Sequence, residues 1–110
     1  MTEPATKAHI LDAAERLFAE RGFSSTTVKQ IARGARVNSA LLYYYFGDKE
    51  RLYRAVLERM VDALVSRTMG RLEADVPPPT RLRGFIEAQV ETIIAHPCLP
   101  KLFVRELVDH

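Results

Sequence analysis

Residues 27–49 read TVKQIARGARVNSALLYYYFGDK, and the fold turns on how this stretch is divided. Thr27 and Gln30 have the spacing of a capping box, in which a hydroxyl accepts from an orphan amide and the glutamine side chain reaches back. A helix therefore starts at Val28. It is short, because its inward residues Val28, Ile31 and Ala32 are followed at once by Gly34, Ala35 and Arg36. Asn38 is a good N-cap for a further helix that starts near Ser39. Two helices of about two turns each, joined by a three- or four-residue turn, form a helix-turn-helix candidate. Ala32 is small enough for the crossing point, Val37 can plug the junction, and Ile31, Leu42 and Tyr45 supply a shared apolar face. The turn wants a residue that tolerates positive φ, and Arg36 stands where glycine is commonest; a non-glycine residue there costs about 1 kcal/mol. Gly34 offers an alternative place for the turn.

Three consecutive tyrosines, Tyr43, Tyr44 and Tyr45, are too many for so small a core. Neighbours on a helix are about 100° apart, so the three spread over roughly 200°. With Leu42 inward, Tyr45 and Phe46 fall near it, while Tyr43 and Tyr44 point outward. Between Thr27 and Arg59 there are seven basic residues, Lys29, Arg33, Arg36, Lys49, Arg51, Arg54 and Arg59, against the acids Asp48, Glu50 and Glu58. That window carries +4 out of a total of +2, so the remainder is at −2. Positive charge gathered around exposed aromatics suits a polyanionic partner.

Working outward, Ile10, Leu11, Ala14, Leu17 and Phe18 recur at spacings of three and four from about Thr6 to Arg21, which predicts an amphipathic first helix. Gly22 is placed to cap it, and Phe23 to tuck back beneath it. Beyond the tyrosines, Gly47 and Asp48 break the pattern and Asp48 caps a long helix from Lys49 to about Glu73, with Leu52, Val56, Met60, Ala63 and Leu64 as its stripe. Lys49 in a first turn opposes the helix dipole, so something must compensate it there; a phosphate would. Pro77, Pro78 and Pro79 interrupt the helical pattern. Thr80 can cap a fifth helix carrying Leu82, Phe85, Ile86, Val90, Ile93 and Ile94, ended by His96 and Pro97. A sixth piece is expected after Pro100, with Leu102, Phe103, Leu107 and Val108.

The 110 residues and 47% hydrophobic content fit one ordinary globular fold. No apolar run approaches the roughly 18 residues that span a bilayer, and the expectation is a soluble, cytoplasmic chain. The lone Cys98 forms no internal disulfide and reads as a core thiol. His9, His96 and His110 are scattered, and no phosphate-cradling glycine loop, His-Glu-x-x-His or cysteine pair is present. An enzyme is not expected, and neither a metal nor a cofactor. The rival to a nucleic-acid binder is a helical protein-interaction module that uses the exposed tyrosine surface, since tyrosine and arginine also favour protein interfaces.

The blocks ILDAAERLFAERGF, STTVKQIA, LLYYYF and DKERLYRAVL, in this order and spacing, resemble the TetR family of bacterial transcriptional repressors over about the first 60 residues. LRGFIEAQVETIIAHPCLPKLFVREL is similar to the start of that family's regulatory domain. The resemblance implies an all-α chain, with a three-helix helix-turn-helix DNA-binding domain over 1–50, then a connecting helix and partial regulatory and dimerisation domain over 51–110. It implies a ligand-responsive repressor that inserts its third helix into the major groove of a palindromic operator as a homodimer. Carried over by position, Thr27 and Lys29 would meet the DNA from the second helix. Ser39, Ala40, Leu41, Tyr43 and Tyr44 would form the recognition surface next to its cap Asn38, and Lys49 would clamp a phosphate. Asn38 stands where serine is frequent, and Arg36 replaces the usual turn glycine. Family members are about twice this length, and their later helices complete a small-molecule inducer pocket and the dimer interface, so the pocket here is expected to be incomplete.

Those residue types suit such a surface. Tyrosine hydroxyls can bond phosphate oxygens and so fix register. Ser39 can bond either kind of base edge, while Ala40 or Leu41 can lie on a thymine methyl. With no arginine or glutamine on the outer face of the third helix, specificity is expected to lean on Lys29, apolar contacts and DNA shape.

Overall fold

A computed structural model describes residues 2–72, 75–95 and 97–109. Among these residues the chain is all-α, with α1 at Glu3–Arg21, α2 at Val28–Ala35, α3 at Ser39–Phe46, α4 at Lys49–Leu72, α5 at Pro78–Ala95 and α6 at Leu99–Asp109.

The first helix starts earlier than the apolar spacing predicts. Thr2 is its N-cap, accepting from Ala5 N at 3.3 Å, and Glu3 sits in the first turn, where a carboxylate favours the dipole. Proline in that turn loses nothing, because its missing N–H would have no intrahelical partner. The helix stops where expected: Gly22 takes φ 82° and donates to Phe18 O at 2.8 Å. Ile10, Ala13, Ala14, Phe18 and Ala19 are buried, with Leu11 and Leu17 half-buried beside them.

The turn between α2 and α3 forms as read from the residues. Both halves of the capping box are present, Gln30 N to Thr27 Oγ1 at 3.1 Å and Thr27 N to Gln30 Oε1 at 3.0 Å. Arg36 is left-handed at φ 60°, ψ 41°, and Val37 N reaches back to Ala32 O at 3.0 Å, the bonding that closes a helix at a left-handed residue. Gly34 is therefore not the turn; it lies within α2. A Cβ on Gly34 would come within 3.2 Å of Arg16 Nη2 and 3.5 Å of Ala13 Cβ, so this glycine serves the close approach of α2 to α1.

Asp48 caps α4 by accepting from Arg51 N at 2.7 Å. Leu52, Val56 and Met60 then enter one continuous core with α1, α2 and Leu42 of α3, joined by Leu102 from α6. That core draws on residues from both sides of position 50. Arg59 fastens α4 to α1 through Asp12 at 2.9 Å and Glu15 at 3.3 Å. The expected end near Glu73 falls outside the described residues.

Two starting points differ from the sequence expectation. α5 begins at Pro78 rather than behind a Thr80 cap, and Pro77 O accepts from Arg81 N at 3.0 Å. The proline run predicts a break, but in a first turn no backbone N–H is needed and the fixed φ already suits a helix. For the same reason Pro100 lies inside the first turn of α6, whose opening carbonyl is that of Cys98, accepting from Leu102 N at 3.0 Å. α5 ends at Ala95; the expected stop at His96 lies outside the described residues. Cys98 is half-buried against the core, and burial, then the charges of Glu15 and Glu20, push its thiol above the ordinary range. It stays a protonated thiol near neutral pH.

α6 folds back on α1. Arg105 donates from Nε to Ala19 O at 2.8 Å and from Nη2 to Glu20 O at 2.9 Å, supplying donors to carbonyls that the end of a helix leaves open. One residue on, Glu106 accepts a hydrogen bond from the Tyr53 hydroxyl of α4.

Candidate nucleic-acid interface

The third helix presents two opposite faces. Leu42 is fully buried, and Tyr45 and Phe46 pack half-buried against the core. On the far side Ala40, Tyr43 and Tyr44 are exposed, Tyr43 at 48% and Tyr44 at 78%. Positions 40, 43 and 44 are spaced i, i+3, i+4, so they share one strip of the helix. Ser39 and Leu41 are half-buried at its flanks. The division of the three tyrosines thus follows from the helical period once Leu42 is fixed in the core.

Local bonding stiffens this surface from both ends. Asn38 accepts from Leu41 N at 2.8 Å, and Gly47 donates to Tyr43 O at 2.8 Å. The Tyr44 and Tyr45 rings meet edge to face with centroids 5.3 Å apart. Lys7, from the first turns of α1, lies 5.6 Å from the Tyr45 ring centroid. Sequence reasoning missed Lys7, because its nearness to the tyrosines depends on how α1 packs; only its charge and position near the start of α1 hinted at it.

On α2, Thr27 and Lys29 are both exposed at the helix start, and Arg33 is exposed one turn beyond Lys29. Arg36 is exposed in the turn itself. Lys29 and Arg33, four positions apart, share one exposed face of α2, while Arg36 lines a pocket with His9, Asp12 and Arg16 of α1. The charge count of the window signalled Arg33 and Arg36, which were not among the site residues named from the sequence.

Lys49 is placed differently from the other expected contacts. Its ammonium donates to Phe23 O at 2.8 Å and Thr26 O at 3.1 Å, and it lies 4.1 Å from the Phe23 ring centroid. The compensation that a cation needs at the start of α4 comes from inside the protein.

A short capped pair of helices, packed on a longer first helix and carrying exposed tyrosines and basic residues, is a helix-turn-helix arrangement. The sequence profile of the bacterial regulatory proteins of the tetR family matches residues 10–56. A transcriptional repressor of Streptomyces coelicolor, SCO4008, is 35% identical over 108 residues, covering 96% of this chain and 52% of its own length. The repressor KstR2 of Mycobacterium tuberculosis is 36% identical over 90 residues, 82% of this chain and 45% of that protein. Among solved structures, a TetR-like transcriptional regulator from Rhodococcus superposes with a TM-score of 0.85 at 26% identity, over 96% of this chain and 57% of that one. The ketosteroid transcriptional regulator KstR2 of Mycobacterium tuberculosis does so with a TM-score of 0.80 at 33% identity, over 91% and 51%. This chain belongs to the TetR family of transcriptional regulators. It spans about half the length of the curated relatives it matches.

Proposed function

We propose that this chain is the DNA-binding part, with the first regulatory helices, of a ligand-responsive transcriptional repressor acting on DNA in the cytoplasm. The observation that carries the reading is the strip Ala40, Tyr43 and Tyr44, exposed on a capped helix whose opposite side holds the fully buried Leu42. In this reading α3 lies in the major groove. Tyr43 and Tyr44 bond phosphates or sugars and fix the register, while Ser39, Ala40 and Leu41 approach base edges from the N-terminal end of α3, next to the cap Asn38. Thr27 and Lys29 approach from α2. The printed names of the relatives, transcriptional repressors and regulators, support the same class.

Two protomers then read the two halves of a palindrome. Residues 1–50 do the binding, and 51–110 begin the part that dimerises and takes a small-molecule effector. No catalytic step is involved. Selection of bound duplexes from random DNA tests the reading: the expected product is a palindrome with half-sites about one helical turn or slightly more apart. Affinity for it should fall with salt by about 0.9 log units per phosphate contact for each tenfold rise. Failure to enrich any duplex, or binding indifferent to salt, would return the tyrosine surface to a protein-interaction role.

A further inference from the structure

The loop between α1 and α2 is held from two sides. From one side, the Thr26 hydroxyl, fully buried, donates to Gly22 O at 2.7 Å, with Leu17 O 3.2 Å away, and so fixes the loop to the end of α1. From the other side comes Lys49, the first residue of α4. An ammonium has three N–H donors; two go to Phe23 O and Thr26 O, and the charge rests over the Phe23 ring at 4.1 Å. Those two carbonyls flank the loop that runs into Thr27, the N-cap of α2. Lys49 follows α3 after only Gly47 and Asp48. One side chain therefore ties the entrance of the helix-turn-helix to its exit, across 26 and 23 positions of chain.

From this geometry we infer that Lys49 is a positioning residue for DNA binding rather than a phosphate ligand, acting through the carbonyls of Phe23 and Thr26 to set where α2 and its cap begin. The inference rests on the DNA-binding reading and deepens it. A cation in the first turn of α4 opposes the helix dipole, and the two carbonyl oxygens with the ring face offset that cost locally. Two of the three N–H donors of the ammonium are occupied in this way. Lys29 and Arg33, both exposed on α2, offer further cations for phosphates.

The two roles differ in their salt dependence. A lysine on a phosphate contributes about 0.9 to the slope of log affinity against log salt, whereas a positioning residue changes affinity and leaves the slope alone. The test measures binding of the full chain to its selected duplex across a salt series, together with amide hydrogen exchange over residues 23–30, for the unaltered chain, Lys49→Met and Lys49→Arg. In Lys49→Met the loop amides are expected to exchange faster and affinity to fall about tenfold at every salt concentration, with the slope unchanged. Lys49→Arg, which keeps cationic donors, should restore loop protection and affinity together. A slope shallower by about 0.9 overturns the inference, whatever the loop does, and so does an unchanged affinity. Should Lys49→Met lose its helical circular dichroism, Lys49→Gln, which keeps amide donors without charge, decides by the same slope. If the unaltered chain binds no duplex, the DNA-binding reading falls by itself; exchange over 23–30 then still shows whether Lys49 holds the loop, and unchanged exchange in Lys49→Met overturns that as well.

Discussion

The helices up to the middle of α4 and the two that follow Pro77 treat their apolar residues in opposite ways. In the first region the large side chains are inside: Ile10, Phe18, Ile31, Leu42, Leu52 and Met60 are fully buried in one core. In α5 the buried positions are the small Ala88 and Thr92, while Leu82 is 61% exposed and Ile94 73%. α6 buries Leu102 but leaves Leu107 at 81%. An amphipathic period thus predicts which residues share a face, and a face is buried only when another element lies against it. The first region closes its core with Leu102 from the start of α6, whereas α5 and the end of α6 present apolar faces of the kind that mark interaction surfaces.

This contrast can be broken by substitution. The largest effect is expected for Leu42→Ala, which truncates a fully buried side chain and should cost about 2 to 5 kcal/mol of stability in urea unfolding. Tyr44→Ala should weaken binding to the selected duplex about tenfold, or about 1.4 kcal/mol. Its thermal stability should stay within about 0.5 kcal/mol of the unaltered chain, because the ring stands outside the core. If Tyr44→Ala and Leu42→Ala unfold alike, the two faces of α3 are wrongly assigned. The smallest effect belongs to Ile94→Ala, expected to change stability by less than about 0.5 kcal/mol despite removing as large an apolar group as many in the core. A loss comparable to that of Leu42→Ala would show that α5 is packed more fully than its exposure indicates.

Much of the first region was legible in the residues because its signals are local. The Thr27–Gln30 box, the Asn38 and Asp48 caps and the left-handed Arg36 each depend on neighbours within a few positions. The same locality misleads at the prolines: residue type places Pro78, Pro79 and Pro100 outside helices, whereas a first turn accepts them without loss. Lys49 shows a different gap. Its position against the helix dipole announced that it needed a partner, but the partners are main-chain carbonyls of Phe23 and Thr26, and every residue carries a carbonyl. Nothing in residue type singles out those two.

The sequence by itself determined the six helical segments within a few residues, the facing of α3 and the family, since these follow from period, caps and block order. Only the tertiary structure decided that Lys7 stands by Tyr45, that Lys49 turns inward to the loop before α2, and that Arg105 closes the end of α1 from 86 positions away. The physical reason is range. A cap or an amphipathic face is set within one or two turns of helix, whereas these contacts exist only once the helices have packed and brought distant parts of the chain within hydrogen-bond reach.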